Sequence, residues 1–254
     1  MAIIWQEQTS AGHYEVRVAG NSKRLYKDGV FHSQWNITRP LSNGVWDLLF
    51  LPALFREPPT IQRVLVLGVG GGAVINTFAT LLNPREIVGV ELDPVHIKIA
   101  REYFLLPHVR ATIHQADAIE WIRDYRGDGF DVVVEDLFTE NAGEPVKVVT
   151  AGKSWFRKLQ KLLRPGGVLI VNFEDPEQMR EAAPAYLETL GSKPDIRYQF
   201  SQPSYGNSVC AFLDKPGSPA KLRSRLSRLL SEYPACSASG QKFRVRRVIG
   251  KSAR

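Results

Sequence analysis

The chain has 254 residues, 44% of them hydrophobic and 23% charged, a globular composition sized for one or two domains. It contains no run of about 18 apolar residues, so no membrane-spanning helix is expected, and its start, MAIIWQEQ, has neither the basic nor the long apolar region of a secretory signal. Net charge is +7, with the excess gathered after Lys221, where Lys and Arg face a single acid, Glu232; such a tail could attract nucleic acid or an acidic protein, but a solvated helix with a frayed end is the simpler reading.

Residues 1 to about 38 read as strands. Tyr14-Glu15-Val16-Arg17-Val18 alternates apolar and polar, Ala19-Gly20-Asn21 has turn chemistry, and Ser22 to Tyr26 would return antiparallel. Asp28-Gly29 makes a second tight turn before Val30-Phe31. Val45 to Leu51 then reads as a helix with Ser42 or Asn43 as its cap, and Pro58-Pro59 closes a linker.

From Arg63 strands and helices alternate: strand 64–68, helix 72–82, strand 86–91, helix 94–104, strand 110–114, helix 117–125 and strand 131–135. A polar loop, Asp136 to Gly143, and helix 152–163 follow. Arg164-Pro165-Gly166-Gly167 is a stop before the buried strand Val168-Val171, and helix 176–190 comes next. Strands near 195–200 and 207–213 read as a terminal hairpin, and helix 219–232 trails behind. The expected fold is α/β: a Rossmann-like, doubly wound, mostly parallel sheet with a terminal antiparallel hairpin, preceded by a small β-hairpin domain. The expected divisions are 1–40 for the hairpins, 41–62 for the helix and linker, 63–214 for a nucleoside-binding domain, and 215–254 for the last helix and basic tail.

The most telling stretch runs from Arg63 to Glu91. An apolar strand ends in Gly68-Val69-Gly70-Gly71-Gly72, a helix follows, and a second strand, Ile87-Val90, ends in Glu91. Glycines let a backbone approach a ligand with no Cβ in the way, and an acid at the tip of the second strand can accept from ribose hydroxyls. Gly68, Gly70, Gly72 and Glu91 are therefore candidate nucleoside ligands. After the third strand, Asp117 could accept from an adenine amine while the Ala118 amide donates to a ring nitrogen; for Asp117 the competing reading is a helix cap. Glu91 and Asp117 together suit S-adenosylmethionine or a relative better than a nicotinamide cofactor. Asp136, after the fourth strand, sits where a substrate must approach and could hold an ammonium group or take a proton from an attacking amine, although a solvated loop acid is as good a reading. No metal is expected. Cys210 and Cys236 form no CxxC pair or disulfide framework, which suits a reducing cytoplasm.

With those residues in place the chain resembles the polyamine aminopropyltransferases, the spermidine synthase family, within the wider fold of S-adenosylmethionine-dependent methyltransferases. VLVLGVGGG, VGVELDP, QADAIEWI, FDVVVEDLF and LLRPGGVLIVN follow the family's order and spacing, and LYKDGVF and YGNSVCAFLDK point to the spermidine synthase group more narrowly. The resemblance implies an aminopropyl donor, decarboxylated S-adenosylmethionine, an amine acceptor such as putrescine, and a homodimer, with the N-terminal hairpin edge as a plausible contact. Departures fall on the substrate side. The family's loop acid is Gly71 here, the second acid of its Asp-Ser-Ser-Asp-Pro loop is Thr139 in the run Asp136-Leu137-Phe138-Thr139-Glu140, its acidic helix keeps only Asp47, and an expected glutamine is His32. Each paired charge lost from a partly closed site removes roughly 1.5–3 kcal/mol. Trp46, Asp47, Leu137, Phe138 and Thr139 would then line a rebuilt pocket. On this ground the sequence favours methyl transfer from S-adenosylmethionine to an unidentified acceptor. Aminopropyl transfer with an altered amine site and a non-catalytic nucleoside-binding protein are the alternatives, and nucleic-acid methylation through the basic tail ranks last.

Overall fold

In the computed structural model, which describes residues 1–141, 144–236 and 240–248, the first four strands form a sheet of their own. They are β1 (Ala2–Thr9), β2 (Gly12–Ala19), β3 (Ser22–Lys27) and β4 (Val30–Asn36), an antiparallel meander in that order. The β3–β4 turn uses Asp28 at φ 48° and Gly29 at φ 81°, two left-handed residues in succession that match the twist of a tight hairpin. Alternation buries Tyr14, Val16, Leu25 and Trp35 on one face, against Ile99 and Phe104 of the next unit. The small sheet is thereby held beside the ends of the large one.

The linker holds α1 (Val45–Phe50) and short 3-10 turns at Leu51–Phe55 and Pro58–Thr60. Neither Ser42 nor Asn43 caps α1. Gly44 occupies the cap position with no side-chain bond, and Asp47 instead reaches back to accept from the Asn43 N–H at 2.7 Å.

The large sheet is built from β5 (Arg63–Leu67), β6 (Glu86–Glu91), β7 (Ala111–Gln115), β8 (Phe130–Glu135), β11 (Leu163–Phe173), β12 (Arg197–Ser201), β13 (Ser208–Phe212) and β14 (Arg244–Val248). Between them lie α2 (Ala73–Leu82), α3 (Pro94–Ile99), α4 (Ala118–Asp124), α5 (Lys153–Lys161), α6 (Pro176–Leu190) and α7 (Pro219–Leu230). Strand order is β14-β12-β13-β11-β8-β5-β6-β7, parallel from β11 to β7 and antiparallel at the other end. Val64, Val66, Val132, Val134 and Ile170 bury one face with α1, α2 and α7; Leu65, Leu67, Val133, Leu169 and Val171 bury the other with α4, α5 and α6. This two-sided burial is why the strands read as unbroken apolar runs. The chain winds outward from β5 through β6 to β7, then crosses back to β8 on the other side of β5, and a crevice opens at that reversal.

Three segments depart from the sequence reading. The expected helix 94–104 is α3 followed by a π turn at Ala100–Phe104. The expected polar loop after Asp136 pairs as a hairpin, β9 (Phe138–Asn141) with β10 (Glu144–Lys147); residues 142 and 143 lie outside the described set. The basic end does not simply trail: Arg244–Val248 pairs antiparallel with β12 and closes the sheet edge. Arg244, Arg246 and Arg247 are exposed on this edge strand, and such charges discourage a further strand from adding. Phe243 anchors it, 7% exposed, 6.3 Å from the Phe200 ring, with the Arg223 guanidinium 4.5 Å from its own ring centre. Among the described residues no helix is long and apolar enough to cross a membrane.

Phe243→Ala is expected to lower stability by about 3 kcal/mol, read as a reduced urea midpoint at unchanged slope. A loss below about 1 kcal/mol, typical of surface positions, would contradict the docking of β14.

Candidate functional site

The turn after β5 brings two strand ends unusually close. Gly68 has φ +85°, and a Cβ there would lie 2.1 Å from the Asp136 carbonyl oxygen, so only glycine fits. The Asp136 N–H donates to the Leu67 carbonyl at 2.8 Å, which ties the start of the β8–β9 connection to the end of β5. Above this contact lies a cavity of about 1050 Å³, bordered by the β5 turn, the ends of β6, β7 and β8, the small sheet and the β12–β13 turn. That is room for a nucleoside donor and an acceptor together.

Glu91 borders this cleft and is 9% exposed. Its Oε2 accepts from the Val69 and Gly70 N–H groups at 2.9 and 2.8 Å, and its Oε1 from Asp93 N–H at 2.9 Å. Burial would raise its carboxyl, but the neighbouring His96 and the backbone donors outweigh that and hold it below the usual carboxylate range. Glu91 is thus also the brace of the glycine turn, a role its sequence position did not reveal. Asp117 and Ala118 line the cleft too. Asp117 Oδ1 caps α4, accepting from Ile119 and Glu120 N–H at 2.6 and 3.2 Å, while Oδ2 has no hydrogen-bond partner among the described residues. The cap reading is therefore real, and it leaves one oxygen for a ligand.

Gly68 and Gly70 border the cleft, but Gly72 does not. Gly72 is the left-handed cap of α2, and a Cβ on it would meet Leu105 at 3.1 Å. Gly71 faces the small sheet, where a Cβ would sit 2.8 Å from that of Ser33. Of the expected pocket residues, Trp46, Leu137, Phe138 and Thr139 line the cavity. Asp47 does not: it is 6% exposed and turned into the 42–44 loop, where burial pushes its carboxyl up to about 7 despite backbone donors from Asn43, Ser42 and Gly44.

Asp136 lines the cleft and accepts from Asn172 Nδ2 at 2.8 Å, and Asn172 Oδ1 in turn accepts from Asn207 at 3.3 Å. Burial raises the Asp136 carboxyl; the Asn172 bond and the charge of Lys147 pull it down, and Glu91 pushes it up. Directly beneath, Glu135 is fully buried and paired with Lys147 of β10, whose side chain is only 4% exposed. The Lys147 ammonium also lies 5.0 Å from the Phe138 ring and 5.8 Å from the Phe173 ring. This pair clamps the β9–β10 hairpin, and with it Phe138 and Thr139, to the sheet.

Sequence reasoning missed the pair because Lys147 lies past the expected polar loop, in a stretch before helix 152–163 with no expected element. It also missed Asn172, Tyr205 and Asn207, which only the return of β11 and β13 brings to the cleft. His32 on β4 lines the cleft beside His96, ring centres 5.2 Å apart. Burial, then the nearby His96, lowers His32 to about 4, so it is neutral at physiological pH, and its Nε2 has no partner among the described residues.

Residues 50–216 match the spermine/spermidine synthase domain. The chain belongs to that family. The polyamine aminopropyltransferase of Clostridium beijerinckii is 30% identical over 174 residues, covering 64% of this chain and 60% of that protein. That of Vibrio vulnificus is 31% identical over 122 residues, 47% of this chain and 39% of the relative, so these matches span less than two thirds of the relatives' length. In structure, a probable spermidine synthase from Corynebacterium glutamicum superposes with TM-score 0.74 over 97% of this chain and 91% of its own at 17% identity. Human methyltransferase-like protein 13 in complex with SAH superposes at TM-score 0.59 over 74% of this chain and 90% of its own at 20% identity. At these identities the two structures establish a shared fold. The comparisons lend no support to the methyl-transfer expectation over the aminopropyl alternative.

Lys147→Met should move the Asp136 titration upward, because a positive charge favouring the ionised form is removed. Glu135→Gln, which leaves the ammonium without its counter-charge, should move it downward. Carboxyl 13C NMR on labelled aspartates, with Asp136 assigned from Asp136→Asn, reads both; shifts of the same sign, or none, would contradict the clamp's electrostatic coupling to Asp136.

Proposed function

We infer that this protein is a transferase of the aminopropyl type, using decarboxylated S-adenosylmethionine as donor and an amine as acceptor. The observation that carries the reading is the match to the spermine/spermidine synthase domain over residues 50–216, across the segment that supplies Glu91, Asp117 and Asp136. Glu91 would hold the ribose, and Asp117 with the Ala118 amide the adenine. The donor sulfonium would then lie between the glycine turn and Asp136. The acceptor amine, with a free lone pair, forms a C–N bond to the aminopropyl carbon attached to sulfur. The C–S bond breaks with its electron pair going to sulfur, leaving the neutral thioether 5′-methylthioadenosine, and the proton shed by nitrogen passes to Asp136. Positioning of the two reactants supplies most of the rate.

Among the departures that favour methyl transfer, with Thr139, Asp47 and His32, is Gly71, where the resemblance leads one to expect an acid. That position turns toward Ser33, so the missing carboxylate leaves no gap in the cleft wall. Meanwhile the carboxylates of Glu91, Asp117 and Asp136 give the cleft negative charge that attracts a donor amine and repels a donor carboxylate.

Calorimetric titration with decarboxylated S-adenosylmethionine and, separately, S-adenosylmethionine tests this reading. The decarboxylated donor is expected to bind about tenfold tighter or better, the result of one like-charge contact avoided. Tighter binding of the carboxylated donor would overturn aminopropyl transfer and return the case to methyl transfer.

A further inference from the structure

The sheet order divides the cleft into two chemically different halves. Glu91 and Asp117 stand on the β6–β7 side of β5, while Asp136, Asn172 and Asn207 stand on the β8–β11–β13 side. Of the other cleft acids, Asp93 follows β6 and pairs with Lys27 at 3.3 Å, and Asp28 is held by the His13 N–H of β2 at 2.8 Å. Beyond Asp136, on the acceptor side, the wall is formed by Phe31, Val45, Trp46, Leu137, Phe138 and Tyr205. Trp46 meets Phe31 edge-on at 5.0 Å, which makes this a packed aromatic surface. Among the described residues, Asp136 is the carboxylate lining this half.

Aromatic faces can themselves attract an ammonium group. Here two of them already have protein cations beside them: the Arg24 guanidinium lies 5.8 Å from the Phe31 ring centre and the Lys147 ammonium 5.0 Å from that of Phe138. The Lys147 charge is answered by Glu135, so it is Arg24 that would repel a second ammonium beside Phe31. Asp47 offers no relief, being buried behind the wall and bonded to the Asn43 N–H.

We propose that the acceptor is a primary monoamine with an apolar body, its nitrogen on Asp136 and its tail against Trp46 and Phe138, rather than an α,ω-diamine. The proposal rests on the aminopropyl reading for what happens to the amine, but not for which amine binds. One ammonium meets one carboxylate; a second would lie against a largely apolar wall with no counter-charge among the described residues.

The test compares n-pentylamine with putrescine, two molecules of equal chain length that differ by a methyl in place of the second ammonium. Each is titrated calorimetrically into the protein, with and without 5′-methylthioadenosine. n-Pentylamine is expected to bind tighter by about tenfold or more, the mark of an uncompensated buried charge in putrescine, and to lose that binding in Asp136→Asn while 5′-methylthioadenosine binding persists. Equal or tighter binding of putrescine, or no binding of either amine at millimolar concentration, overturns the proposal. Turnover with decarboxylated S-adenosylmethionine is scored separately: n-pentylamine that binds without being aminopropylated would sink the transfer reading and leave the amine class standing.

Discussion

The site depends on one close approach, that of Gly68 to the Asp136 backbone. β5 and β8 are neighbours in the sheet, and the left-handed glycine at the end of β5 lets the chain leaving β8 pass over it. Any side chain at Gly68 would push these strand ends apart. The contact sets the glycine turn and Asp136 at a fixed separation, which on the proposed function is the spatial requirement of an in-line displacement. Glu91 supports the same contact from the other side, since its carboxylate is tied to the Val69 and Gly70 amides and so stiffens the turn that Gly68 begins.

Charge is distributed around that contact with a consistent logic. Glu135 is buried under Asp136 and would repel its ionised form; the buried Lys147 answers it. Removing one member of such a pair leaves an uncompensated charge and commonly costs about 3–5 kcal/mol, so the hairpin carrying Phe138 and Thr139 is coupled to the ionisation of the floor below. Two cationic side chains, Lys147 and Arg24, then lie against rings of the acceptor wall. On the monoamine proposal, a floor negative at Asp136 under a largely aromatic wall would suit a ligand with one charged end.

Much of this was legible in the sequence, for reasons tied to particular residues. The apolar runs at Val64–Leu67, Val132–Val134 and Val168–Val171 are unbroken because both sheet faces are covered, and they give the large sheet away. Gly68, Gly70, Glu91, Asp117 and Asp136 follow successive strand ends, so their convergence follows from the alternation of strands and helices. Gly72 and Asp47 misled because spacing along the chain does not show which way a side chain points: one glycine serves a helix cap, and the acid serves a loop amide. The β9–β10 hairpin was hidden in polar sequence with no clear alternation. The strand Arg244–Val248 was hidden because an arginine-rich segment reads as solvated, although the same charges are what an exposed sheet edge requires. Gly71 is a similar case, since that position faces Ser33 rather than the cleft.

The most direct measurement is a crystal structure of the protein with 5′-methylthioadenosine. The account predicts ribose hydroxyls within hydrogen-bond reach of Glu91, the adenine amine on Asp117, and the sulfur facing Asp136 across the Gly68 turn. A nucleoside bound elsewhere, or one whose sulfur points away from Asp136, would contradict the account.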